Sequence, residues 1–109
     1  MSYNQVLAER MRAHLKTRKG IIDKGMFGGI GFLVNGNMAC GVNKQDLIVR
    51  LNDSDFQIAI QKPHVRVFDL GGRPMKAWIL ISPEGCVGKK VLLRWLDKGI
   101  AQASSLPPK

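Results

Sequence analysis

The residues most open to a chemical reading are glycines. Between Lys24 and Val42 the chain reads KGMFGGIGFLVNGNMACGV, which places six glycines (Gly25, Gly28, Gly29, Gly31, Gly36, Gly41) among apolar residues. Backbone amides without side chains in the way can cradle phosphate, and that would mark a nucleotide-using enzyme. The spacing rejects this. A phosphate loop needs GxxxxGK followed by Ser or Thr, and a dinucleotide fingerprint needs GxGxxG, but Gly29-Ile-Gly31 is followed by Phe-Leu-Val. Both motifs also open a helix whose first amides face the phosphate. Here the glycines run into Phe32-Leu33-Val34, an Asn35-Gly36 pair and another apolar run. A second echo, Gly85-x-x-Gly88-Lys89-Lys90, has its glycines too close together and lacks the hydroxyl residue after lysine.

Nucleophiles and bases are equally dispersed. Cys86 precedes a helical pattern and stands near Lys89 and Lys90, so a helix N-terminus and two cations would lower its pKa; the plainer reading is an incidental loop thiol. Cys40 sits inside an apolar run and reads as a small buried side chain. The two cysteines are far apart, with no CxxC and no Cys/His cluster, so neither a disulfide framework nor a zinc site is expected. His14 falls on or beside an apolar stripe, and His64 lies between Pro63 and Val65. Neither histidine has a nucleophile in company. Glu9, Glu84 and six aspartates are scattered, with no carboxylate pair. No catalytic residue, cofactor or metal is therefore expected, and the chain reads as a non-enzymatic protein.

What stands out instead is charge. The net charge of +9 over 109 residues creates a field that attracts phosphate-rich or acidic partners. Arg10 to Lys24 carries six basic residues against Asp23, while Lys62 to Lys76 and Cys86 to Lys98 carry four each against one aspartate. Asn43 to Gln61 is slightly acidic. These patches either merge into one functional face or scatter as ordinary solvation. The candidate contacts are Arg12, Lys16, Arg18, Lys19 and Lys24, joined by Lys89, Lys90 and Arg94.

The elements that must position these residues follow from periodicity. Tyr3, Val6, Leu7, Met11 and Leu15 recur at helical spacing, with Lys16, Arg18 and Lys19 crowding the last turns and Gly20 available as a stop. Asn35-Gly36 between strand-like runs predicts a hairpin, because both residues tolerate positive φ. Alternation puts Met26, Gly28, Ile30, Phe32 and Val34 on one strand face and Phe27, Gly29, Gly31 and Leu33 on the other. Glycines kept on a strand face mark a close approach, which we expect to be a packed helix or aromatic ring. Asp46 to Leu51 predicts a third strand. Asn52 or Asp53 caps a short helix that Pro63 stops, and Val65 to Leu70 and Lys76 to Ser82 predict two more strands, the last of them central. A final helix presents Val91, Leu92, Trp95, Leu96 and Ile100, and Ser104 to Lys109 reads as a flexible tail. The result is one domain over 1–103, with an antiparallel five-stranded sheet and helices in an α+β two-layer fold of order α-β-β-β-α-β-β-α. The start of the chain has no signal-peptide pattern and no run approaches the length of a membrane span, so a cytoplasmic, reduced protein is expected.

Met26-Phe27-Gly28-Gly29-Ile30-Gly31-Phe32, the Asn35-Gly36-Asn37-Met38-Ala39 turn and Asp46-Leu47-Ile48-Val49-Arg50 together resemble the N-terminal domain of the TfoX/Sxy competence regulators. The likeness continues through Trp78, a proline-containing link and a closing helix with Leu92 and Trp95, reaching about Ala103. It implies a fold similar to the secretion-chaperone arrangement. Full-length members look like two-domain transcriptional co-activators acting with a DNA-bound regulator, and this chain resembles the first domain standing alone. The resemblance carries over no catalytic residue and no ligand; Met26, Phe27, Gly28, Gly29, Gly31, Asn35 and Gly36 read as structural. Two expectations follow: a basic regulator acting with nucleic acid or a DNA-bound regulator, or a protein-interaction module that self-associates or holds an acidic partner.

Overall fold

The computed structural model describes residues 3–26, 28–70 and 72–108, with the side chains of Met26 and Leu70 outside the description. Two members of the glycine-rich motif, Phe27 and the Met26 side chain, therefore lie outside the described residues, as does Lys109 at the end of the expected tail.

The chain begins with helix α1 (Gln5–Leu15), capped by Asn4, whose side chain accepts from the Leu7 amide at 3.1 Å. The Asn4 amide donates to the Lys44 carbonyl at 2.7 Å, which fixes where the helix starts against the sheet. Gly20 takes φ +80° in the turn that follows. Four strands come next: β1 (Ile21–Met26), β2 (Gly29–Val34), β3 (Asn37–Asn43) and β4 (Asp46–Arg50). Helix α2 (Asp53–Ala59), capped by Asn52, leads to β5 (Val65–Leu70) and β6 (Arg73–Ile81). A 3-10 turn at Pro83–Cys86 delivers the chain into α3 (Lys89–Ser104). The six strands form one antiparallel sheet in the order β1-β2-β3-β4-β6-β5.

The α+β class and the antiparallel sheet agree with the sequence reading, but the sheet has six strands rather than five. The missed strand is β1. Gly28, at φ +69°, ends the run that alternation had carried from Met26 to Val34, and the Ile21–Met26 segment folds back along β2 with Lys24 opposite Gly31. An edge strand needs only one half-buried face, and Ile22, Asp23, Lys24 and Gly25 are exposed, so no apolar pattern announces it. The Asn35-Gly36 hairpin is as expected, with φ +52° and +85°. The Lys76–Ser82 strand is indeed interior, lying between β4 and β5 and starting earlier, at Arg73.

All three helices cover one face of the sheet. Leu7, Met11 and Leu15 from α1, Phe56 and Ala59 from α2, and Leu92, Trp95 and Leu96 from α3 join Ile30, Phe32, Val42, Leu47, Val49, Ile79 and Ile81 in a single core. Alternation along β4 and β6 turns Ile48 and Leu80 to the other face, where they are buried outside that core. The helical stripes are rotated from the expected ones: Val6 is 73% exposed while Ala8 is buried, and on α3 the buried row is Leu92, Trp95, Leu96, Gly99 and Ala103. Gly99 brings the α3 backbone onto Ala39, and that contact sets the rotation. Beyond α3, the Asn37 side-chain amide, itself buried, donates to the Pro107 carbonyl at 3.0 Å.

Candidate functional site

The helical layer carries most of the basic side chains, and its geometry begins with Arg10. The Arg10 guanidinium donates to the carbonyls of Cys86 and Val87 at 3.0 and 2.9 Å, tying α1 to the link before α3. Eight residues further, Arg18 pairs with Asp97. The two helices therefore lie side by side and run in the same direction. His14, one turn along α1 from Arg10 and four residues before Arg18 in the turn that follows the helix, sits in their common field. Burial first, then the charges of Lys89, Arg10 and Arg18, push its pKa below the ordinary value, with Asp97 opposing.

The eight sequence-predicted contacts are not brought together. Arg18 and Lys89 belong to this α1–α3 seam. Arg12 lies on the β1 side of α1, between Glu9 and Asp23, and the Asp23 carboxylate pushes its pKa up. Lys16 borders the same shallow cavity as Arg12, over Ile21 and Phe32. Lys19 is exposed in the turn after α1. Lys90 is exposed on α3, and Arg94 faces α2 across a cavity it shares with Lys62 and Lys98. Lys24 is on the opposite side of the sheet: its register partner is Gly31, whereas the helix-covered face of β1 carries Asp23 opposite Phe32. Among the described residues, Lys16, Lys19, Lys24, Lys89, Lys90 and Arg94 make no ion pair, while Arg12 and Arg18 are engaged.

Sequence reasoning missed Arg10, the residue that organises the seam. Its spacing of four and eight from His14 and Arg18 places all three on one side of a helix, and that signal was available. It also missed the far face of the sheet, where the Arg50 guanidinium lies 5.4 Å from the centre of the Trp78 ring and its Nε is buried without a partner.

Neither thiol has the character of a nucleophile. Cys40 is fully buried and its pKa is pushed up to about 12. Of the two readings of Cys86, the activated one is disfavoured. Its side chain is 1% exposed in the 3-10 turn, with Sγ 3.6 and 3.7 Å from the Pro83 and Ser82 carbonyls, and burial raises its pKa more than Arg10 lowers it. No group of three or more His, Cys, Asp or Glu side chains placed to hold a metal occurs among the described residues. No helix of the described residues is long and apolar enough to cross a membrane.

The position of His14 gives the fold a pH dependence of known sign. A histidine whose pKa is lower folded than unfolded leaves the unfolded chain binding more protons, so stability rises with pH across that window. The stability that neutral His14 contributes is fully present above its ordinary value of 6.5 and is lost as pH falls below that value through the folded pKa. His14→Gln is expected to flatten the decline in melting temperature on the acid side of neutrality while leaving the melting temperature at pH 8 nearly unchanged. Parallel pH profiles for the two proteins would refute the assignment.

A family model described as the TfoX N-terminal domain matches residues 13–103. No curated protein and no solved structure matches the chain.

Proposed function

Since the chain belongs to the TfoX N-terminal domain family, we propose that it is a regulatory binding module of the competence-regulator kind, not an enzyme, and that it meets a phosphate-rich partner through its helical layer. The likeness to the secretion-chaperone arrangement is what the family resemblance implies and is part of the same reading. The observation that carries the role is the state of the charges on two adjacent helices. Lys16, Lys89, Lys90 and Arg94 are exposed and have no carboxylate partner among the described residues. Exposed cations with no carboxylate beside them add to the positive field of this layer, and that field favours an external anion. The partner is nucleic acid or a DNA-bound complex, contacted through phosphates and without base readout. Lys24, on the other side of the sheet, has no part in it.

Fluorescence anisotropy with a labelled duplex tests this. Four phosphate contacts predict binding that weakens with salt at a log–log slope of about −3 to −4. Combined Lys89→Glu, Lys90→Glu and Arg94→Glu substitution is expected to abolish it. Absence of binding at low salt, or binding that survives the triple substitution, defeats the proposal.

A second reading, protein interaction without nucleic acid, is favoured by the far face of the sheet. There Arg50 stacks on Trp78, and Ile22 on edge strand β1 is 62% exposed. This face would serve self-association, and a chain that stays monomeric in light scattering as concentration rises removes that form of it.

A further inference from the structure

A cavity of about 560 Å³ opens between α2 and the first half of α3, and neither reading above uses it as a pocket. Its volume lies within the range of small-molecule sites, roughly 300–1,000 Å³. Much of the lining is apolar: Ala59 and Trp95 belong to the core, and Ile58, Val65 and Val91 join them. Ile58 is 57% and Val91 39% exposed, two of the large apolar side chains that the described residues leave open to solvent, and both line this one cavity.

The rest of the lining has the opposite character. Lys62, Arg94 and Lys98 line the cavity with a single carboxylate, Asp55, which is engaged by Lys98 at 3.5 Å. Lys62 and Arg94 therefore keep their charge without a carboxylate partner among the described residues. An apolar lining beside two uncompensated cations complements a molecule that is itself apolar at one end and anionic at the other.

The backbone of the wall is specialised as well. His64 holds φ +68°, in the left-handed region that side-chain-bearing residues rarely adopt. Its carbonyl accepts from the Ser82 amide at 2.9 Å, and it abuts Gly85, where an added Cβ would stand 2.8 Å from the His64 Cβ and 2.8 Å from Ile81 Cγ2. A strained residue held against an obligatory glycine fixes this side of the opening, and such strain concentrates at ligand clamps.

We infer that the cavity binds a small carboxylate amphiphile, with its apolar body on Trp95, Val91 and Ile58 and its carboxylate between Lys62 and Arg94. The inference shares Arg94 with the proposed phosphate contacts, but its test contains no nucleic acid, so the two readings fail separately.

The chain has two tryptophans, so Trp78→Phe leaves Trp95 as the sole reporter. Titration of this variant with decanoate is expected to give one saturable change in Trp95 emission, and calorimetry on the unsubstituted chain a stoichiometry of one. Decanol, with the same body and no charge, and acetate, with the charge and no body, are each expected to bind at least roughly tenfold more weakly. Lys62→Ala and Arg94→Ala are each expected to weaken decanoate by about tenfold, with Lys44→Ala, in the β3–β4 turn, without effect. Both cations are on exposed side chains, so circular dichroism should show the substituted chains folded. No saturation below about 1 mM, several decanoates per chain, decanol binding as tightly as decanoate, or full affinity in the Lys62→Ala/Arg94→Ala chain would each overturn the inference.

Discussion

Gly29→Ala is expected to cost about 3 kcal/mol or more and to lower the melting temperature by roughly 12 °C or more. A Cβ on Gly29 would stand 1.6 Å from the Val42 carbonyl oxygen and 2.7 Å from its carbon. Those atoms belong to the neighbouring strand, so no rotamer change relieves the overlap; β2 and β3 must separate. Their ladder pairs Gly29 with Asn43 and Ile30 with Val42, in the middle of the sheet's β1–β4 half. A domain of this size has about 5–15 kcal/mol of stability in total, so the loss is a large share of it. Gly25→Ala is the control. It lies in the same glycine-rich stretch, but nothing stands within 4 Å of its added Cβ, and a change within about 0.5 kcal/mol is expected. Urea melts of the two variants would show the contrast. Equal stabilities would mean that backbone approach at Gly29 is not what the position requires.

The second large effect is at Gly99, in the interior of α3. Glycine inside a helix ordinarily costs about 1 kcal/mol relative to alanine, so Gly99→Ala should stabilise the protein if the helix alone decided the matter. The opposite sign is expected. The added Cβ would lie 2.5 Å from the Ala39 carbonyl oxygen and 3.2 Å from Val49 Cγ1, at the place where α3 rests on β3. We expect a loss of about 2 kcal/mol for Gly99→Ala and more for Gly99→Val. The obstructing atom is a carbonyl oxygen, so Ala39→Gly should fail to rescue either variant. A stabilised Gly99→Ala protein, or rescue by Ala39→Gly, would place the contact elsewhere.

These two glycines also show how far the sequence could be read. Gly29 was identifiable as a close-approach position, because a glycine on a strand face has few other reasons to be there. What approaches it is a neighbouring strand's backbone, not a helix or a ring, and pairing register is not written in a local pattern. Gly99 gave no signal, since one glycine in a strongly amphipathic helix looks like a tolerated defect. The interior position of Lys76–Ser82, the Asn35-Gly36 turn and the burial of Cys40 were legible because each follows from a few adjacent residues. Strand β1 was not, because an edge strand with four exposed residues in a row satisfies itself by pairing instead of by burying a face. The alternative of an activated Cys86 fails for a related reason. Proximity to Lys89 and Lys90 in sequence implied an electropositive setting, but the 3-10 turn points the thiol into the core, where desolvation outweighs the nearest cation.

The sequence by itself determined the α+β class, most of the element order, the family and the excess of positive charge, all of which depend on local spacing and composition. Only the tertiary structure decided where that charge goes. It divides the candidate cations between the α1–α3 seam, the α2–α3 cavity and the far side of the sheet, pairs Arg12 and Arg18 with carboxylates distant in sequence or on another element, and makes Arg10 the tie between two helices. Electrostatic and steric terms act over a few ångströms through space, whatever the separation along the chain, so a net charge can be counted from the residues but a face cannot.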